Sequence, residues 1–148
     1  MRTSNVMVAV AGLLIAMTQL SAQPPQTASS SDANVSLPSG NVEHGRYLAE
    51  RVAMCVECHS MRDEAGNIIQ TEKYLGGSIP FAPPWPNNWA MRAPRNRGLV
   101  GYDDKAALRL LTQGAIGRDG HQLRPPMPRF HMTPQDAADV IAFLRSLK

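Results

Sequence analysis

Apolar residues recur at the three- and four-residue spacing of amphipathic helices in three stretches of this chain. The first stretch begins near Asn41, a good N-cap residue, and runs into Cys55; the others cover residues 103–113 and 133–147. Gly45 lies inside the first stretch, where a glycine usually admits a close neighbour, and the last helix is the expected neighbour. The pattern therefore predicts an all-α domain with three main helices and no substantial sheet.

The second and third helices have recognisable first turns. Asp103 and Thr133 stand at the N-cap positions, and Pro134 fits the first position of the third helix. Asp136 resembles the acidic partner of a capping box with Thr133. These residues sharpen the predicted start of each helix.

Residues 1–22 have the pattern of an export signal. Arg2 supplies a positive charge ahead of an uncharged apolar run at residues 6–17, and Ala22 ends a plausible small-residue cleavage site. The run is shorter than a comfortable membrane span, so an uncleaved N-terminal anchor is the alternative. Export predicts a periplasmic protein.

Residues 23–40 are rich in Gln, Pro, Ser, Thr and Ala and contain almost nothing to bury. We expect them to form a flexible leader ahead of a domain at residues 41–148. Without residues 1–22 the chain keeps 126 residues, of which 14 are basic and 12 acidic. This length suits one small domain, and the weak positive charge does not indicate nucleic-acid binding.

The middle of the chain carries a C-x-x-C-H motif, Cys55-Val56-Glu57-Cys58-His59, which is the form of a c-type haem attachment site. Each cysteine can add to one vinyl group of the porphyrin, and the histidine then lies under the ring, where its imidazole can bind iron. A thioredoxin-like redox pair would need a strand before the motif, and a zinc site would need two further ligands at metal spacing. The sequence has no such strand and no second cysteine pair, so the motif predicts one covalent haem.

The second axial ligand of the iron decides the chemistry of such a site. Met127 is the best candidate because it lies in a strap, residues 124–128, where three prolines fix an extended backbone and remove N–H donors. Met54 and Met61 flank the motif too closely to reach the opposite face of the ring.

Other ligands stay open at this point. Met91 lies in a long loop, and His121 or His131 would give a bis-histidine haem. An open sixth position is a further alternative. Met132 directly precedes the cap of the third helix, which is the place of a hydrophobic staple against Ala137.

The segment at residues 66–101 loses helical periodicity and is rich in Pro and Gly. Its two tryptophans, Trp85 and Trp89, indicate an ordered loop rather than a linker, and the haem is the surface available for it to pack on. The indoles either donate to a haem propionate or cover the apolar edge of the ring. Because arginine suits carboxylates, the propionates have further candidate partners in Arg92, Arg95 and Arg97.

Together, the helix leading to the C-x-x-C-H motif, the proline strap around Met127 and a terminal helix ending Ala-Phe-Leu-Arg-Ser-Leu resemble a class I cytochrome c. The resemblance covers residues 41–148 and is closer still to the monohaem modules that serve periplasmic dehydrogenases. It implies one haem c bound covalently by Cys55 and Cys58, with His59 and Met127 as axial ligands. The long Pro- and Trp-containing insertion departs from the smallest members.

The expected function is periplasmic electron transfer by one His/Met-ligated haem c. The protein is expected to be a free carrier or the cytochrome subunit of a dehydrogenase complex, and not itself an enzyme. The implied partners are a dehydrogenase as donor and another cytochrome or a terminal oxidase as acceptor. Membrane contact would need an uncleaved N-terminal segment or a partner complex. The alternative is a haem enzyme or gas sensor with an open or displaceable sixth position.

Overall fold

The computed structural model describes residues 36–148. The export signal predicted at residues 1–22, and the leader up to residue 35, lie outside the described residues. Within residues 36–148 no helix is both long and apolar enough to span a membrane. The end of the predicted leader contacts the domain, since the Gln135 side chain donates a hydrogen bond to the carbonyl oxygen of Ser39 at 3.0 Å.

The first helix ends before the C-x-x-C-H motif. Helix α1 covers Val42–Tyr47 and continues as a π-helical turn, Leu48–Val52, after which Met54 adopts a left-handed conformation with a φ of 53°. The prediction of a helix running into Cys55 is wrong, because a left-handed residue cannot continue a right-handed helix. The motif instead forms a short helical turn of its own, α2, at Cys55–Cys58.

The other two helices agree with the predicted pattern. Helix α3 is Asp104–Thr112 and helix α4 is Pro134–Ser146. The Asp103 carboxylate accepts a hydrogen bond from a backbone N–H in the first turn of α3 at 2.7 Å. The Thr133 hydroxyl accepts from the backbone N–H of Asp136 at 3.1 Å and donates to the Asp136 carboxylate at 2.8 Å. Both predicted N-caps are confirmed.

Residues 66–101 form the ordered segment that the tryptophans predicted. It contains 3₁₀ turns at Gln70–Glu72 and Arg97–Leu99, and strand β1 (Gly77–Ser78) pairs antiparallel with strand β2 (Arg92–Ala93). This pairing is too small to alter the all-α class. The core combines apolar side chains from the helices and this segment: Ala49, Tyr74, Leu99, Ala107, Leu111, Val140, Ile141, Phe143 and Leu144.

Helices α1 and α4 meet at Gly45, as the sequence predicted. A Cβ atom placed on Gly45 would overlap the backbone carbonyl of Asp139 and would lie 3.0 Å from the Cβ of Phe143. Only glycine therefore allows the two backbones to approach this closely.

The buried Asp139 carboxylate also stabilises the contact between α1 and α4. It accepts hydrogen bonds from the Asn41 backbone N–H and the Gln135 side chain at 2.7 and 2.9 Å, and it lies 2.7 Å from Nδ1 of His44. Burial by itself raises the pKa of Asp139, but these hydrogen bonds outweigh burial and bring the pKa below its usual value. Asp139 therefore stays ionised at neutral pH.

Replacing Gly45 with alanine is expected to destabilise the fold. The added methyl group must push α1 away from α4, and overpacking of this kind costs about 1–3 kcal/mol even after the better helix propensity of alanine. The measurement is denaturant unfolding of the purified holoprotein. Gly66→Ala is the control, since a Cβ there meets nothing within 4 Å and adds only the strain of a positive φ. A Gly45→Ala variant as stable as the wild type would contradict the close contact.

Candidate functional site

A cleft of about 650 Å³ opens beside the C-x-x-C-H motif. Its lining includes Cys55, Cys58 and His59 from the motif, and Met127 from the strap. Much of the remaining lining is apolar and includes Ile79, Phe81, Leu99, Leu110, Leu123 and Phe130. The structure thus brings the four residues predicted to bind haem into one cavity.

The motif is held against the start of the small sheet. The backbone N–H of Gly76 donates to the carbonyl oxygen of His59 at 2.9 Å, and the backbone N–H of Tyr74 donates to the buried Ser60 hydroxyl at 3.2 Å. A Cβ on Gly77 would overlap the carbonyl oxygen of Ser60. These contacts fix the chain immediately after the motif and hence the position of its histidine.

His59 has the tautomer that an iron ligand needs. It is 8% exposed, and its Nδ1 lies 2.7 Å from the carbonyl oxygen of Pro94. A carbonyl oxygen only accepts, so Nδ1 carries the proton and Nε2 keeps a lone pair for a metal. Burial lowers the pKa of His59, although the hydrogen bond to Pro94 acts in the opposite direction. The imidazole is therefore neutral and oriented.

The two cysteine thiols lack the acidity of a redox pair. Burial raises the pKa of Cys55 to about 11. Burial, followed by the nearby Glu57 carboxylate, also raises the pKa of Cys58. A thioredoxin-like motif depends on a lowered thiol pKa, so this environment opposes that interpretation.

Met127 is the candidate for the second axial position that shares the cleft with His59. It is half-buried and packs against the core. Its backbone N–H donates to the carbonyl oxygen of Arg124 at 3.3 Å, which closes a turn within the strap. Met54 also lines the cleft, but it directly precedes Cys55.

The sequence model of the cytochrome c family matches residues 42–148. This chain belongs to the cytochrome c family. A comparison with curated proteins found no match. Membership confirms haem-based electron transfer and one covalent haem c, for which Cys55 and Cys58 have the required spacing. The mostly helical fold agrees with a class I cytochrome c.

The polar residues that line the cleft of this cytochrome also suit a haem. Arg92, Arg95 and Asn96, from one segment of the chain, line it beside the apolar side chains. An apolar cavity that also presents two guanidinium groups suits an apolar ring that carries two carboxylates. Arg92 and Arg95 remain candidates for the propionates.

The other ligands considered for the iron lie elsewhere in the cytochrome. Met91 is 58% exposed, and His121 and His131 are also exposed; the lining of the cleft includes none of the three. Met132 packs against the core and donates its backbone N–H to the carbonyl oxygen of Leu111 at 3.0 Å. The staple between Met132 and Ala137 stays a prediction.

The tryptophans belong to a proline loop, residues 80–91, and not to the lining of the cleft. The Trp89 indole N–H donates to the carbonyl oxygen of Phe81 at 3.0 Å, so it closes the loop and is not available to a propionate. Trp85 is 64% exposed. Arg97 also lies outside the lining, and its guanidinium donates to the carbonyl oxygen of Lys73 at 2.7 Å.

Sequence reasoning missed two residues that support the site. Pro94 contributes its carbonyl oxygen to His59, and no side-chain pattern announces a backbone acceptor. In the sequence Arg124 is simply the first residue of the strap, but in the structure its guanidinium donates to two carbonyl oxygens of the proline loop. An arginine directly before the prolines was the available signal.

Proposed function

We propose that this cytochrome c is a periplasmic electron-transfer protein whose haem iron is bound by His59 and Met127. The observation that carries the proposal is that both side chains line one cleft, while Nδ1 of His59 is engaged by Pro94. When bound, the haem supplies the Fe(II)/Fe(III) couple. With His59 and Met127 both holding the iron, no coordination position would be left for a substrate, and the thioether of Met127 would raise the reduction potential.

The residues of the cleft favour a carrier over a haem enzyme or gas sensor. A haem enzyme would need a distal acid–base group, but His121 and His131 are exposed and do not line the cleft. Gln122 does line it, but its side-chain amide donates to the carbonyl oxygens of Gly114 and Ala115 at 2.6 and 3.1 Å. It is therefore engaged with the backbone.

The absorption spectrum of the oxidised protein tests the axial pair. Ligation by His59 and Met127 predicts a low-spin spectrum with a sulfur-to-iron charge-transfer band. A high-spin spectrum would support the enzyme or sensor, and a low-spin spectrum without the sulfur band would support bis-histidine ligation. Either result would overturn the proposed ligand pair.

We further propose that the protein exchanges electrons with protein partners, a dehydrogenase as donor and another cytochrome or a terminal oxidase as acceptor. It acts as a free carrier or as a cytochrome subunit of the dehydrogenase. The resemblance to dehydrogenase modules supports this assignment. The test is purification from native periplasm and membranes at low salt, followed by identification of the proteins that copurify. Reduction by a copurified dehydrogenase with its substrate would support the proposal, and failure of every such enzyme to reduce it would contradict it.

Cleavage of the export signal is expected to give a mature chain that begins near Gln23. The small residues before this position and the apolar run at residues 6–17 are the basis of the expectation. Intact-mass measurement of the exported protein, with fractionation into soluble and membrane pools, checks it. A mass that retains residues 1–22, found in the membrane fraction, would replace the soluble carrier with an anchored one.

A further inference from the structure

The strap that carries Met127 is tied to the proline loop by three hydrogen bonds. The Arg124 guanidinium donates from Nε to the carbonyl oxygen of Asn88 at 2.7 Å and from Nη2 to that of Trp89 at 2.6 Å. The backbone N–H of Ala90 donates to the carbonyl oxygen of Pro125 at 2.7 Å. Three consecutive loop residues, 88–90, are thus hydrogen-bonded to the first two residues of the strap, 124 and 125.

The proline loop is itself braced and can serve as a fixed support. The Trp89 indole donates to the carbonyl oxygen of Phe81 at 3.0 Å, and the two rings meet edge to face with centroids 6.0 Å apart. The Asn87 side chain accepts from the Trp89 backbone N–H at 2.7 Å and donates to the carbonyl oxygen of Trp85 at 2.5 Å. These contacts close the loop on itself, and its prolines limit backbone rotation.

The loop also leads directly to the support of the other ligand. Strand β2 follows it, and Pro94, next after that strand, holds Nδ1 of His59. One continuous stretch, residues 88–94, therefore contacts the strap at its start and the proximal histidine at its end. The insertion that distinguishes this chain from the smallest cytochromes c links the supports of both candidate ligands.

We propose that Arg124 is a positioning residue that fastens the Met127 strap to the proline loop and so limits release of the sulfur from the iron. The proposal rests on the His59/Met127 ligation proposed above. A thioether carries no charge, so its hold on iron depends strongly on how rigidly the chain presents it. The two charge-assisted hydrogen bonds of Arg124 supply that rigidity by fixing the first residue of the strap to the proline loop.

The test measures how fast excess imidazole replaces Met127 in the oxidised holoprotein, followed by loss of the charge-transfer band. Arg124→Ala is expected to keep the charge-transfer band at neutral pH. The replacement of Met127 by imidazole should become roughly tenfold to a hundredfold faster, because a charge-assisted hydrogen bond contributes a free energy of that size. Arg129→Ala is the matched control. It removes an exposed arginine that directly follows the strap and does not line the cleft, and it should exchange within about twofold of the wild type.

A second pair of variants leaves the charge unchanged. Trp89→Phe removes the indole donor that closes the loop. We expect it to speed the replacement a few-fold, which corresponds to the net energy of roughly one neutral hydrogen bond. Trp85→Phe makes the same change at an exposed position of the same loop, where the structure shows no bond from the indole, and should behave as wild type. If Arg124→Ala does not yield folded protein, this pair decides the question.

The outcomes separate this proposal from the one on which it rests. If the wild type lacks the charge-transfer band, or Met127→Ala retains it, the ligand assignment fails. If the wild type has the band but Arg124→Ala and Trp89→Phe both exchange at the wild-type rate, the positioning role fails alone. Equal acceleration in Arg124→Ala and Arg129→Ala would show that the effect comes from the lost charge and would also overturn the positioning role. Acceleration in Arg124→Ala with none in Arg129→Ala supports it.

Discussion

Replacing Cys55 and Cys58 together with alanine is expected to abolish covalent haem attachment and, with it, most of the native fold. Both thiols that line the cleft are removed, so any haem taken up would be held only through His59 and Met127. Extraction with acid and an organic solvent should then remove all of it. The intact mass should equal that of the polypeptide alone.

The loss of structure follows from the size of the cleft, about 650 Å³. Without the covalent haem, the apolar side chains that line the cleft are left in contact with water. A small domain has only about 5–15 kcal/mol of stability, so the loss of a large part of its core is enough to unfold it. Far-ultraviolet circular dichroism of the variant should show a large loss of helix.

The single variant Cys58→Ala is the control for this experiment. It keeps the Cys55 thiol and can form one thioether, so part of its haem should resist extraction. If the double variant still holds haem after extraction, Cys55 and Cys58 are not the attachment points.

Replacing Met127 with alanine is expected to change the redox centre while leaving the haem attached. The charge-transfer band should disappear, and cyanide and carbon monoxide should bind more readily at the opened position. The reduction potential should fall by on the order of 0.1 V or more, given that axial ligands set haem potentials over a range of about 0.8 V. Because Met127 is half-buried, the variant should also lose about 2 kcal/mol of stability.

Met132→Ala is the matched control, since Met132 follows the same strap but packs on the core beside α3 and α4. It should keep the band and the potential and cost about 1 kcal/mol of stability. Loss of the band in Met132→Ala but not in Met127→Ala would show that the wrong methionine was assigned. If both variants keep the band, neither sulfur binds the iron.

Several features of the fold were predictable because their determinants lie within a few residues of one another. The N-cap hydrogen bonds of Asp103 and Thr133 reach backbone N–H groups three residues further on. The close contact at Gly45 was also predicted, because a glycine inside a helical pattern usually marks an approaching neighbour. The end of the first helix could not be predicted, because the left-handed residue there is Met54 and not the glycine or asparagine that usually marks such a position.

Residues that are close together along the chain are enough to specify the cofactor and the class of fold. The two cysteines and the histidine of the C-x-x-C-H motif are neighbours along the chain, and their spacing specifies the chemistry before any folding. Helical periodicity likewise follows from side chains three and four positions apart. These predictions needed no knowledge of distant contacts.

The support of the candidate ligands depends on contacts between residues that are far apart along the chain. Pro94 and His59 are 35 residues apart, and Arg124 and Asn88 are 36 apart, yet each pair meets within 2.7 Å. In both pairs the acceptor is a backbone carbonyl, which every residue type possesses, so no pattern of side chains can single it out. Which carbonyl faces which donor follows from the path of the chain through residues 88–94, and that path exists only once the chain has closed around the cleft.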